Sequence, residues 1–168
     1  AGIRFVWNQP ARGNRRAIER VYRLLMHATP KGSPVWIESA YFVPSPRLVR
    51  TMRWLVSHDR ELTVITNSRE SVDVPLVPDA SRYLYRRLLK EDGDVRLYEW
   101  RFRPEQGEAT LHAKVAAFGR CGPVVIGSAN LDGLSGERNS ESVVLIDDPE
   151  FRRTVEAMMR ADESEGRV

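Results

Sequence analysis

The sequence is poor in cysteine and lysine, and it contains no long hydrophobic run. Its one cysteine, Cys121, excludes an internal disulfide, and no group of Cys and His residues has the spacing of a zinc site. No apolar stretch approaches the roughly 18 residues that a membrane-spanning helix needs. The chain carries 26 basic and 23 acidic side chains, and its net charge of +3 is too small to indicate nucleic-acid or membrane binding by itself.

The length and composition are those of one folded domain. Hydrophobic residues make up 42% of the chain, which is enough for a core and excludes general disorder. The 168 residues suit a single domain spanning 1–168, and no internal repeat or Gly/Ser linker divides them. The chain begins with Ala-Gly-Ile and shows no intact secretory signal, as expected of a processed protein or of a piece of a longer one. The chemistry described below favours the piece.

Hydrophobic periodicity alternates between helix and strand along the chain. It predicts helices over 14–29, 46–57, 80–90 (with Asp79 as its cap) and from 149 onward. It predicts strands over 35–42, 62–66, 95–100, 111–118, 123–128 and 142–146, loops over 67–78 and 104–108, and a frayed tail over 161–168. This alternation predicts an α/β domain with a mixed β-sheet and helices on both faces.

Four polar side chains stand out in the otherwise apolar strands of the segment 111–141. His112 and Lys114 are two residues apart, as are Ser128 and Asn130, so each pair shares a face if it lies in a strand. A predicted turn separates the two pairs. Pairing Lys114 with Ser128 and pairing His112 with Asn130 belong to one antiparallel register, which predicts a hairpin with all four groups at one end.

These side chains have the chemistry of an anion site. A lysine supplies charge, while a serine hydroxyl and an asparagine amide bind phosphate oxygens. A histidine beside them can attack phosphorus or protonate a leaving oxygen. A carboxylate is then needed to hold the other ring nitrogen, and Glu141 and Asp132 are the candidates. No metal or cofactor is required, because these donors can stabilise the charge of the transition state.

The whole pattern resembles the HKD signature of the phospholipase D superfamily. Seven residues carry this resemblance: His112, Lys114, Gly127, Ser128, Asn130, Asn139 and Glu141. Two upstream segments, WIESAYFVP at 36–44 and VITNS at 64–68, are similar to bacterial cardiolipin synthases and related phospholipase D-like proteins. The resemblance extends over about 5–154 and is strongest to the C-terminal one of that family's two HKD halves.

The resemblance implies a two-step phosphodiester reaction. One histidine attacks phosphorus to give a phosphohistidine, a second protonates the departing alcohol, and water or another alcohol then releases the enzyme. Carried over position by position, His112 is the catalytic histidine, expected to be the general acid. Lys114 and Asn130 bind the phosphate with help from Ser128, and Glu141 orients the imidazole.

One position departs from the family pattern. The resemblance places an aspartate five residues after the lysine, where this sequence has Gly119. That position falls in the predicted turn, far from the His112 end of the hairpin. We therefore expect it to affect local stability more than chemistry, although a catalytically degenerate half stays open as an alternative.

The chain has one suitable histidine, because His27 and His58 have no comparable pattern around them. We therefore expect the chain to be the C-terminal half of a longer two-HKD protein. The second set of residues would come from an upstream domain or from the partner in a homodimer.

The resemblance implies a phospholipase D-type phosphatidyltransferase or phosphodiesterase that acts on glycerophospholipid, with an alcohol or water as acceptor. It also implies a peripheral protein of the bacterial cytoplasm or of the cytoplasmic face of the membrane. A nuclease or other phosphodiesterase of the same superfamily is the alternative. A nuclease would be expected to have a strongly basic groove, and the small net charge argues against one.

Overall fold

Strands and helices alternate along the computed structural model, which describes residues 2–72, 77–100, 110–133 and 138–165. The strands are β1 (Gly2–Asn8), β2 (Pro34–Ser39), β3 (Phe42–Val43), β4 (Glu61–Asn67), β5 (Val95–Trp100), β6 (Lys114–Phe118), β7 (Val124–Gly127), β8 (Leu131–Asp132) and β9 (Glu141–Asp147). The helices are α1 (Ala17–Ala28), α2 (Pro46–Val56), α3 (Val77–Leu88) and α4 (Pro149–Glu165), with a 3-10 turn at Pro10–Arg12.

Seven of the strands form one mixed sheet in the order β1-β9-β7-β6-β2-β4-β5. The strands β2, β4 and β5 are parallel to one another, and the remaining neighbours are antiparallel. The short strands β3 and β8 form a separate parallel pair. The predicted α/β class with a mixed sheet is confirmed.

Helices cover both faces of the sheet. The larger core lies between the sheet and the helices α1, α2 and α3, and includes Tyr22, Met52 and Leu88. The smaller core lies on the other face, where Val155 and Met159 of α4 pack against β6, β7 and β2. The central strand β2 is buried at all six positions because it faces both cores.

One edge of the sheet collects the ends of seven strands. The parallel strands β2, β4 and β5 end at this edge. In the antiparallel part of the sheet, β7 and β1 also end there, and β6 and β9 begin there. We call it the carboxyl edge. Ligand sites of open α/β sheets lie outside the carboxyl ends of the parallel strands.

The hairpin of β6 and β7 differs from the predicted register by one residue. Val115 pairs with Ile126 and Ala117 with Val124, which continues to Lys114 opposite Gly127 instead of Ser128. The backbone N–H of Phe118 donates to the carbonyl of Pro123, so the loop between the strands consists of the four residues 119–122. The centre of this loop lies between residues 120 and 121, whereas the predicted register was centred on residue 121. A shift of one residue turns side chains to the other face, so the ladder does not place Ser128 beside Lys114.

The ends of several elements also differ from the prediction. The strand predicted from 111 begins at Lys114, so His112 precedes it. The third helix begins at Val77, which makes Asp79 a residue of its first turn and not its cap. The last helix continues to Glu165, where the sequence predicted a frayed tail from 161. The loop predicted at 104–108 lies outside the described residues, as does 166–168.

Strand β1 is an element that periodicity reasoning missed. It pairs antiparallel with β9 along its full length, with Asn8 opposite Glu141. Its alternate apolar residues Ile3, Phe5 and Trp7 lie on the exposed face. Among the described helices, none is both long and apolar enough to cross a bilayer.

Candidate active site

All five predicted site residues lie at the carboxyl edge. His112 comes two residues before β6, and Lys114 is the first residue of that strand. Ser128 directly follows β7, Asn130 is the third residue after that strand, and Glu141 is the first residue of β9. The sheet order therefore brings three separate chain segments to this edge, but the hairpin does not have the register that was predicted to align its four polar groups.

Backbone contacts hold His112 and Lys114 against the end of β2. The Nζ of Lys114 donates to the carbonyl oxygen of His112 at 2.7 Å. Lys114 is half-buried and pairs with Ser39, and the N–H of Ala40 donates to the carbonyl of Ala113 at 3.1 Å. The imidazole of His112 is exposed, so a substrate can reach it.

A second set of contacts surrounds Glu141. The Ser128 hydroxyl donates to Oε2 of Glu141, while Nδ2 of Asn139 donates to Oε1 at 3.5 Å. The Ser128 oxygen also accepts from the backbone N–H of Ser142 at 3.1 Å. Because a carboxylate has about four acceptor positions, Glu141 keeps capacity for an imidazole N–H.

Asn130 is half-buried, and its Oδ1 is buried without a hydrogen-bond donor among the described residues. The residue lines a cavity of about 30 Å³ together with Asn8, Glu19 and Asp132. This space suits one water molecule, which would donate to the unpaired oxygen. The amide is held at the site because the next residue, Leu131, begins the β8 pairing with β3.

The described residues show no hydrogen bond between these two sets of contacts. Within the described part of the chain, no hydrogen bond links the imidazole of His112 to Glu141 or Asp132. Asp132, the other candidate carboxylate, lies in β8 opposite Val43. The described residues contain no cluster of three or more His, Cys, Asp or Glu side chains that could hold a metal ion.

Two buried polar residues at the ends of neighbouring parallel strands were missed from the sequence. Ser39, at the end of β2, accepts from the N–H of Leu131 at 3.1 Å. Asn67, at the end of β4, bonds both backbone groups of Leu111 at 2.9 Å. Each therefore fixes a residue adjacent to a predicted site residue. The available signal was their place at the carboxyl ends of predicted strands.

Two glycines of the motif region have different structural roles. Gly127 lets β7 approach β9, because a Cβ there would lie 2.2 Å from the carbonyl oxygen of Ser142. Gly119, where the family pattern has aspartate, lies in the turn with a φ of 65°. It directly follows the end of β6, whereas His112 precedes the start of that strand. That position has no direct contact with the site.

The sequence and the fold match one known family of domains. A family model described as "Cardiolipin synthase, PLD-like domain" matches residues 21–162. This match covers most of the chain, which therefore belongs to the phospholipase D-like family.

Individual relatives agree with this assignment. The chain is 36% identical over 151 residues to cardiolipin synthase B of Salmonella typhi. This alignment covers 90% of this chain and 33% of that protein. Among solved structures, phosphatidylserine synthase of Haemophilus influenzae matches with a TM-score of 0.80 at 18% identity, over 99% of this chain and 39% of that one. Nuc of Salmonella typhimurium, a phospholipase D family member, matches with 0.72 at 17% identity, over 99% and 97%. The chain spans about a third of the length of the curated relatives it matches.

Proposed function

We propose that this chain supplies one half of the active site of a phospholipase D-type phosphatidyltransferase or phosphodiesterase that acts on glycerophospholipid. The observation that carries the proposal is the convergence of His112, Lys114, Ser128, Asn130 and Glu141 at the carboxyl edge. An exposed imidazole at the same sheet edge as a cationic side chain and amide and hydroxyl groups is suited to phosphoryl chemistry. The 36% identity to a cardiolipin synthase favours a lipid substrate.

The proposed reaction uses two histidines. The imidazole nitrogen of a second histidine attacks phosphorus, so that an N–P bond forms and the P–O bond to the departing alcohol breaks. His112, as imidazolium, gives its proton to that oxygen. The neutral His112 then takes a proton from water or an acceptor alcohol, whose oxygen attacks phosphorus and displaces the nucleophilic histidine from it.

Lys114 and Asn130 are proposed to bind the phosphate oxygens, with Ser128 assisting. Ser128 directs its proton to Glu141, so its first effect is to hold the carboxylate in place. A carboxylate placed in this way can orient the imidazole and stabilise its charged form. The negative charge of the transition state would be balanced by Lys114 and by neutral donors.

The second histidine is proposed to come from another phospholipase D-like half, either an upstream domain or the partner in a homodimer. Strand β1 presents an exposed apolar row, formed by Ile3, Phe5 and Trp7, with the last two rings stacked at 5.7 Å. Trp7 pairs with Ser142, the neighbour of Glu141, so the row begins beside the candidate site. A second half that covers this row would exclude water from the apolar surface and approach His112.

Parallel assays with phosphatidylglycerol vesicles and single-stranded DNA test the proposed function. We expect turnover of the lipid, with His112→Ala in the intact protein lowering it by about three orders of magnitude or more. His58→Ala is the matched control, because His58 is exposed and follows α2 at the opposite edge of the sheet. Cleavage of DNA alone would favour the nuclease alternative, and inactivity of the assembled wild-type protein towards both would favour a degenerate half.

A further inference from the structure

Asn67, the last residue of β4, has a buried side-chain amide that bonds to two other segments. Its Nδ2 donates to the carbonyl oxygens of Leu111 at 2.9 Å and of Ala40 at 3.0 Å. Its Oδ1 accepts from the backbone N–H of Leu111 at 2.9 Å. One amide therefore bonds both backbone groups of Leu111, as an opposite residue does in an antiparallel ladder.

These contacts act on the residue that precedes His112. The segment 111–113 lies before the start of β6 and outside its regular ladder. Asn67 fixes Leu111 on one side of His112, and the N–H of Ala40 fixes the carbonyl of Ala113 on the other. The backbone of His112 is thus held at both neighbours, while its ring stays exposed.

Ser71 contacts the oxygen side of the Asn67 amide. Its hydroxyl is buried and can donate to Oδ1 of Asn67 at 3.0 Å, with the carbonyl oxygen of Trp100 as a second acceptor at 3.2 Å. The oxygen side of the amide therefore faces two donors and the nitrogen side faces two carbonyls, which leaves one consistent orientation. Ser71 also accepts from the N–H of Ser68 at 2.9 Å, so the turn after β4 supports the same contact.

We propose that Asn67 is a positioning residue for His112, setting the backbone of 111–113 so that the imidazole faces the reacting phosphorus. This inference rests on the proposed function. Reacting groups displaced by about 1 Å can lose around 100-fold in rate. Loss of the amide would leave both backbone groups of Leu111 without their partner, so the segment would have to shift to find new ones.

The kinetic test compares Asn67→Ala with Thr66→Val in the intact, assembled protein and a soluble phosphodiester substrate. The hydroxyl of Thr66 also contacts the carbonyl of Ala40, at 3.5 Å, and the structure records no contact from it to Leu111. We expect Asn67→Ala to lower kcat per folded molecule by about 10- to 100-fold, with KM changed by less than about threefold. Thr66→Val should change both by less than about threefold.

A second measurement does not depend on activity. In the chain described here, amide exchange at Leu111 and the ring NMR signals of His112 should change in Asn67→Ala and stay as in wild type in Thr66→Val. Exchange at Leu111 is expected to speed up by at least about tenfold, because its N–H loses a buried acceptor. Ser71→Ala, which removes support for the amide and keeps Asn67, should give smaller changes in the same direction and serves if Asn67→Ala does not fold.

The outcomes separate this inference from the proposed function. Unchanged kcat per folded molecule, or unchanged exchange at Leu111 and unchanged His112 signals, would overturn the role of Asn67. An inactive wild-type protein, or a His112→Ala variant with full activity, would overturn the proposed function instead. In that case the exchange and NMR measurements would still decide whether Asn67 holds His112.

Discussion

The hydroxyl of Ser128 donates to the carboxylate of Glu141, thirteen residues further along the chain. The contact forms because β7 ends where β9 begins, and Gly127 allows the two strands to approach closely at that point. Two residues of the predicted motif are therefore joined by a direct hydrogen bond. Their contact provides a sensitive test of how the carboxylate contributes to the site.

Replacing Glu141 with Gln keeps the shape of the side chain and removes its charge. We expect kcat to fall by at least about tenfold, because an imidazolium would lose its stabilising carboxylate. The free energy of unfolding should change by less than about 1 kcal/mol, because the hydrogen bond is solvent-exposed. Steady-state kinetics and urea unfolding measure the two effects.

Asp147→Asn is the matched control for Glu141→Gln, since it changes a carboxylate at the other end of the same strand. It should leave kcat within about twofold of wild type. Equal losses of kcat in the two variants would contradict a specific role for Glu141.

Gly119→Asp restores the residue that the family pattern has at this position. The residue has a φ of 65°, and an added Cβ would contact Cδ of Pro30 at 3.4 Å. We expect the free energy of unfolding to fall by about 1–2 kcal/mol, with kcat changed by less than about tenfold. Thermal unfolding and the lipid assay measure these quantities.

Gly32 offers a control for the backbone conformation alone. It has the same φ of 65°, and nothing lies within 4 Å of an added Cβ. Gly32→Ala should therefore report the cost of the left-handed backbone alone, and Gly119→Ala should cost about the same because its contact with Pro30 is an ordinary van der Waals contact. A large gain in activity in Gly119→Asp would show that the missing aspartate has a catalytic part.

The buried carboxyl group of Glu38 should make the stability of the fold depend on pH. The pKa of Glu38 is raised from 4.5 to about 8. The largest cause is its burial between β2 and α4, and the charge of Asp162 and a hydrogen bond with Asp162 raise the pKa further. A carboxyl with a raised folded-state pKa stabilises the fold fully below its unfolded-state pKa, and this contribution is lost as the pH rises towards 8. The free energy of unfolding should therefore fall between about pH 5 and pH 9 for this group.

Glu38→Gln removes the titrating group and should reduce that fall. We expect the stability of the variant relative to wild type to increase by more than about 1 kcal/mol between pH 5 and pH 9. Urea unfolding at several pH values is the measurement. Asp162→Asn should give a smaller change of the same sign, because it removes only the second cause; a pH-independent difference in both would refute the prediction.

The isolated 168-residue chain should be inactive as a monomer, because His112 is its one histidine in a suitable setting. Hydrolysis of a simple phosphodiester across a dilution series, with sedimentation in parallel, measures this. Activity that rises with the dimer fraction would favour a symmetric site. In that case Trp7→Lys should lower both the dimer fraction and the activity. Full activity in the monomer fraction would contradict the two-histidine mechanism.

Much of the fold follows from local sequence pattern. The strand predicted at 95–100 is β5 (Val95–Trp100), and the helix predicted at 46–57 is α2 (Pro46–Val56) with Ser45 as its cap. Such elements depend on periodicity and on capping residues within a few positions. Strand β1 follows the same alternation, but its apolar residues Ile3, Phe5 and Trp7 face outward, so the pattern does not mark a buried face.

The sequence by itself determined which residues are candidates for the site, since types and spacing select His112, Lys114, Ser128, Asn130 and Glu141. Tertiary structure decided how those residues meet. A four-residue loop set the register of β6 and β7, and the sheet order placed Asn67 against Leu111, 44 residues away. Spacing along the chain reports which side chains share a face, but long-range contacts depend on the strand order and loop geometry that only the packed sheet establishes.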